Sequence, residues 1–257
     1  MSFISILSTE FKKIRRSKIL LILIASALIL WLPSILNADI NFKSQAKFGI
    51  TPENNFLIQG FMAFAWFIFP ASMVVSTVLL SQTERSNNGI LKMLALPINP
   101  AVLSMAKFVV MLVLSAVHIL INVCVYYISA LITSATQDYS FTVSLATVAE
   151  LSGLVFLSSV PMIAFFWMIS VCVKTPIFSI GIGLASIVPS VLMINTKVWY
   201  LYPIDYPYYI IVSKYGEMAE NIGSQSMDLL PWIPIAVVFF AVCFAVSCLR
   251  FGQAERR

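Results

Sequence analysis

Six stretches of this chain are long and apolar enough to cross a lipid bilayer: Ile19 to Leu36, Phe56 to Leu80, Phe108 to Ile132, Thr147 to Val173, Ile177 to Ile194 and Leu229 to Leu249. In hydrocarbon no water satisfies a stray N–H or C=O, so only helices and closed barrels span. The stretches lack the strict alternation of a barrel strand. They predict an all-α polytopic membrane protein, a single six-helix domain over residues 1–257. Charge agrees: only 11% of residues are charged, against roughly 25% in an ordinary soluble domain.

Six spans put both termini on one side. Twelve of the sixteen Lys and Arg residues fall on that side, among them Lys12, Lys13, Arg15, Arg16, Arg85, Lys92, Lys107, Lys174 and Arg256. Four fall on the other: Lys43, Lys47, Lys197 and Lys214. The positive-inside rule makes the first side cytoplasmic, in a multi-pass bacterial cell-membrane protein. The net charge of +5 therefore reports topology and does not point to nucleic acid. The four cysteines all lie in predicted spans without metal-ligand spacing and read as small hydrophobes.

Residues 1–18 contain FISILSTEFKKIRRSK, with Ile4, Leu7, Phe11 and Ile14 on one helical face and Lys12, Lys13 and Arg16 leaning away. This is a helix in the cytoplasmic headgroup layer or a simple basic anchor. The pairs Thr51-Pro52, Asn99-Pro100 and Thr175-Pro176 place a capping side chain before a proline suited to the first helical position. Pro70, Pro161 and Pro189 predict kinks.

The third span carries the only histidine. Ser115, His118, Asn122, Tyr126 and Ser129 recur every three or four residues, a polar stripe on an apolar helix. It lines a substrate pathway or subunit seam, or it makes hydrogen bonds between helices of one bundle. In the fifth span Ser179, Gly181, Gly183, Ala185, Ser186 and Ser190 allow close backbone approach, which predicts an interior or seam helix.

Residues 195–228 form the large outer loop, expected to lie along the outer membrane surface as one or two short helices. Trp199, Tyr206, Tyr208 and Tyr209 precede Glu217 and Glu220, and the segment has two lysines against four acids. The rings fix depth as an interfacial belt, or rings and acids together contact a cationic substrate.

Motifs exclude several activities. One histidine rules out multi-histidine zinc sites, and no GxSxG elbow, TVGYG filter or GxxxxGK[ST] loop occurs. The chain carries no P-loop, so energy for active transport comes from another chain or an ion gradient.

That leaves residues 82–100, QTERSNNGILKMLALPINP, an apolar core too short to span. Asn87 or Asn88 caps a short helix with Ile90, Leu91, Met93 and Leu94 on one face, and Pro97 ends it. Such a helix lies on headgroups or inserts into a groove on a soluble partner. Together with the basic EFKKIRRSK, ERSNNGILKMLALPINPAVLSMAK resembles the membrane subunit of type-2 ABC exporters, most closely the lantibiotic-protection permeases. The likeness is specific over residues 10–18 and 84–107.

The resemblance implies a coupling helix with Glu84, Arg85, Gly89, Leu91, Met93, Leu94 and Pro97 at the contact and Lys107 beyond it. It implies two cytoplasmic ATPase subunits that bind ATP and Mg, a second permease, identical or related, and no catalysis or cofactor on this chain. The cargo it implies is a peptide antibiotic, with a bacitracin-like or other hydrophobic compound as the alternative. A non-transporting sensor or scaffold is the rival outside the class.

Overall fold

The computed structural model describes residues 3–15, 17–85, 99–173, 175–220 and 229–251, with backbone alone at residue 15 and at residues 82–85. Gly89, Leu91, Met93, Leu94 and Pro97 of the expected coupling helix lie outside the described residues, as do Arg16, Lys92, Lys174, Asp228 and Arg256.

A short helix, α1 (Phe3–Arg15), precedes the first span, α2 (Ile19–Leu36). The polar loop that follows contains α3 (Ile40–Phe48), closed by Gly49, whose φ of 70° is open to glycine at little cost. The second span is α4 (Pro52–Ala63), a π-helical turn (Phe64–Ile68) and α5 (Phe69–Arg85). Pro70 lacks an N–H and crowds the preceding turn, and the wider π turn sits immediately before it.

The third and fourth spans are α6 (Pro100–Gln137) and α7 (Leu145–Cys172). Asn99 caps α6, accepting from Ala101 N at 2.9 Å, and Ser144 caps α7. Pro161 stays within α7. Pro189, by contrast, divides the fifth span into α8 (Pro176–Ile187) and the single turn α9 (Ser190–Met193). A 3₁₀ turn (Trp199–Leu201) leads to α10 (Tyr206–Met218), and α11 (Leu229–Phe251) is the last span. All six apolar stretches are helices, and every described element is helical.

α6 and α7 are the hub. α2 and α1 pack on α6, α11 lies against both, and α5 touches α6, α7 and α8. Much of α2, α8 and α11 faces outward, with Leu21, Leu32, Ile177, Val238 and Leu249 exposed, as expected of surfaces solvated by acyl chains. The spans run alternately, giving a basic end with α1 and an acidic end with Asp39, Glu53, Asp138 and Glu150. Gly60 lets Trp31 lie on α4: a Cβ there would stand 2.2 Å from the indole.

One expectation narrows and another changes. α8 is not interior to this subunit, which leaves the seam: Ser179, Gly183 and Ile187 face the bundle, where Gly183 abuts Val74 of α5, while Gly181 and Ala185 are open. α10 does not rest flat on the outer surface. It packs along α7 and α4 and reaches the π turn, where Tyr208 meets Trp66 with ring centroids 6.5 Å apart. Trp66 lies fourteen residues into its span, roughly 21 Å at helical rise, so α10 enters the bundle from the acidic end. Its buried residues explain why: Tyr206, Tyr209, Ile210 and Ile211 need an apolar neighbour.

Candidate functional site

Three polar groups of residues stand out, one at the basic end, one within the spans and one at the acidic end. At the basic end α1 buries Ile6, Glu10 and Ile14, whereas Ile4, expected on the apolar face, is exposed. Period explains the difference, since residues 6, 10 and 14 are four apart. Glu10 Oε2 accepts from Lys107 Nζ at 2.6 Å and its Oε1 from Lys13 Nζ at 2.6 Å. Glu10 and Lys107 are both shut off from solvent. Burial alone would raise the Glu10 carboxyl, but the two ammonium groups, Lys107 above all, outweigh it and hold the carboxyl below its ordinary range. Lys107 lies two turns after Pro100, so the pair pins α1 to the helix that begins where segment 82–100 ends. Glu84 and Arg85 close α5 on the near side of that segment.

Within the spans, the stripe on α6 faces protein. Ser115, His118, Asn122, Tyr126 and Ser129 are all buried. Ser26 Oγ of α2 lies 3.2 Å from His118 Nε2, and the imidazole packs against Phe64 and Phe69. Trp31 Nε1 donates to Asn122 Oδ1 at 3.0 Å. Tyr126 Oη donates to Phe141 O and accepts from Val143 N. The His118 and Asn122 contacts join helices of one subunit, those of Tyr126 join α6 to the loop before α7, and Trp31 and Tyr126 are in ring contact beside them.

At the acidic end the aromatic residues pack against one another. Trp199 and Tyr209 stack with centroids 3.6 Å apart, Tyr206 and Trp232 join them, and Trp199, Tyr206 and Tyr209 are buried. Tyr208 is half-buried, and Glu217 and Glu220 are exposed. Lys214 Nζ bridges Glu217 at 2.9 Å and Glu150 of α7 at 3.1 Å, and these carboxylates, Glu217 first, hold its ammonium above the usual range. Of the expected outer contacts, Tyr208, Glu217 and Glu220 are accessible at the surface, and Tyr206 lines a groove between α7, α10 and α11.

Sequence reasoning passed over Glu10 and Asp205. The Asp205 side chain is buried with neither oxygen hydrogen-bonded, yet in the sequence it is one more acid in an acidic loop. Glu10 had a visible signal, an acid four residues after one isoleucine and four before another. Among the described residues no group of three His, Cys, Asp or Glu side chains is placed to hold a metal ion.

No curated protein and no solved structure matches the chain significantly. A family model described as ABC-2 family transporter protein matches residues 6–190, from α1 through the start of α9. The match takes in Glu10, Lys107, the α6 stripe and the short segment between the second and third spans, and six helices fit to cross a membrane accompany it. A chain built in this way, and matched over well more than half its length, belongs to the ABC-2 family of transporter proteins.

Proposed function

We propose that this permease is the membrane half of an ATP-driven exporter, working with a second permease, identical or related, and two ATPase subunits that bind ATP and Mg. The basic end faces the cytoplasm, in keeping with the excess of Lys and Arg there. Residues 84–97 dock on an ATPase subunit, with Leu91 and Leu94 in its groove and Glu84 and Arg85 at the rim. The observation that carries this reading is the buried Glu10–Lys107 pair, because it fastens α1 to α6 directly beyond the docking segment. A push on the segment would move both helices together, and the two permeases would shift between arrangements closed and open to the acidic side.

The cargo in this reading is a cationic amphipathic peptide antibiotic of the lantibiotic kind, taken from the outer leaflet for self-protection or resistance. Around the C-terminal half of α10, exposed Glu150, Glu217 and Glu220 outnumber Lys214, which favours a cationic visitor.

The test is to change Leu91 and Leu94 together to Asp. A buried leucine is worth roughly 1.5–3 kcal/mol, so the permease should insert normally, lose the ATPase on detergent purification and lose peptide-stimulated hydrolysis. Co-purification at the wild-type ratio with normal stimulation would refute the docking assignment.

A further inference from the structure

Between α7, α10 and α11 runs a groove of about 430 Å³ whose walls are almost entirely carbon. Leu154 and Pro161 form one side, Ile210 another, and Trp232, Ala236 and Phe240 the third. The size falls within the range of small-molecule sites, roughly 300–1,000 Å³. Trp232 brings a buried indole N–H that has no hydrogen-bond partner.

The helical stripes that line the groove continue upward into charge. On α7, Glu150 precedes Leu154 by four residues, and Leu154 precedes Pro161 by seven. On α10, Ile210 precedes Lys214 by four and Glu217 by seven. Residues at these spacings share a helical face. Lys214 therefore spans the mouth, its ammonium lying between Glu150 and Glu217, whose side chains are 61% and 46% exposed while its own is 21% exposed. An apolar trough beneath two accessible carboxylates, bridged by a single lysine, has the charge and shape of a receptor for its mirror image.

We infer that this groove binds a cationic amphiphile, its aliphatic part lying along Leu154, Ile210 and Ala236 and its primary ammonium replacing that of Lys214 between Glu150 and Glu217. The inference builds on the cargo proposed above and gives it a place. An aliphatic chain alone finds equal company in the lipid around the protein, so selectivity belongs to the head. Lys214 competes for the same two carboxylates, which makes the site weak by itself and lets cargo leave.

The probe is an alkyl diazirine with a primary ammonium head, photolysed with the permease in phosphatidylcholine nanodiscs and compared with the same chain bearing a carboxylate or a phosphocholine. Adducts mapped by mass spectrometry should concentrate on residues 154–161, 206–210 and 232–240 for the ammonium probe. Glu150→Gln with Glu217→Gln should lower its labelling about fivefold, the scale of an exposed ion pair, and leave the carboxylate probe no weaker. Lys214→Gln should raise ammonium labelling, and Ala236→Trp should lower labelling by every head. Equal labelling by the three heads in the wild type, or the same direction of change in the Gln variants of Lys214 and of the two glutamates, would overturn the assignment.

Labelling requires neither ATPase nor turnover. An unlabelled groove in a permease that still exports would sink this site alone. A labelled groove without peptide-stimulated hydrolysis would leave the site standing and remove the export reading.

Discussion

Lys107 Nζ stands 2.6 Å from Glu10 Oε2 with both side chains sealed from solvent, so two segments ninety-seven residues apart meet in a single buried ion pair. Breaking a buried pair from one side leaves an uncompensated charge, at a cost of about 3–5 kcal/mol. Glu10→Gln and Lys107→Met should each lower thermal stability in detergent by that order. Glu10→Leu combined with Lys107→Met should recover most of the loss, because apolar replacement of both partners is often neutral or better.

The same pair sets a dependence on pH. The Glu10 carboxyl is held below its ordinary value of 4.5, so its contribution is fully present above that value and is lost as pH falls through the lower, folded value. Melting temperatures of the wild type and of the apolar double variant, with Glu10→Leu and Lys107→Met together, should therefore differ by a constant amount from pH 7 to 5. Their difference should then shift against the wild type in more acid solution.

Gly60→Ala should destabilise by about 1–3 kcal/mol, the usual range for overpacking, because the new methyl would meet the Trp31 ring at 2.2 Å. Trp31→Phe in the same chain should restore part of it. The check is detergent melting of both variants, and a glycine merely lost from a helix would instead raise stability.

Asn122→Leu removes the acceptor of the Trp31 indole. Polar contacts between membrane helices average about 0.6 kcal/mol in double-mutant cycles, so a cycle of Asn122→Leu with Trp31→Phe should give a coupling of that size. Unchanged peptide-stimulated hydrolysis in Asn122→Leu would accord with packing, whereas altered peptide preference would assign the stripe to the pathway.

Orientation is open to direct measurement. In a version free of cysteine, single cysteines at Lys43 and Glu220 should react with an impermeant thiol reagent in intact cells, and a cysteine at Lys12 only after permeabilisation. Lys43 is a good reporter because its side chain is 76% exposed. Reaction at position 12 in intact cells would invert the arrangement.

The parts of this architecture legible in the sequence were those set by one helix and lipid. Ile19–Leu36 begins and ends where its apolar run does, and Asn99-Pro100 marks a helix start by a capping side chain and a fixed φ, whereas Thr51-Pro52 and Thr175-Pro176 mark theirs by the proline alone, since neither threonine makes a capping hydrogen bond. What escaped depended on neighbours. The helix Ile40–Phe48 sits in a polar loop and is held by α4, through Asn55 Nδ2 donating to Asn41 Oδ1 at 2.7 Å. Tyr206 and Tyr209 could equally have formed a surface belt, since composition does not say that Trp199 and Trp232 come to meet them. Glu10 looked like one charge in a basic helix because its partner is ninety-seven residues away.

α6 has 38 residues, roughly 57 Å at 1.5 Å per residue, while the hydrocarbon layer is about 30 Å thick. Its apolar stretch begins at Phe108, one residue after the ammonium that grips α1. The first two turns therefore precede the apolar stretch, and α1 is fastened to them through Glu10. A helix too long for its bilayer tilts as the bilayer thins, and tilting α6 would carry α1 with it. Membrane thickness thus enters as a variable of this permease, and transport measured in short-chain and long-chain lipids should differ even where the cargo and its partners are the same.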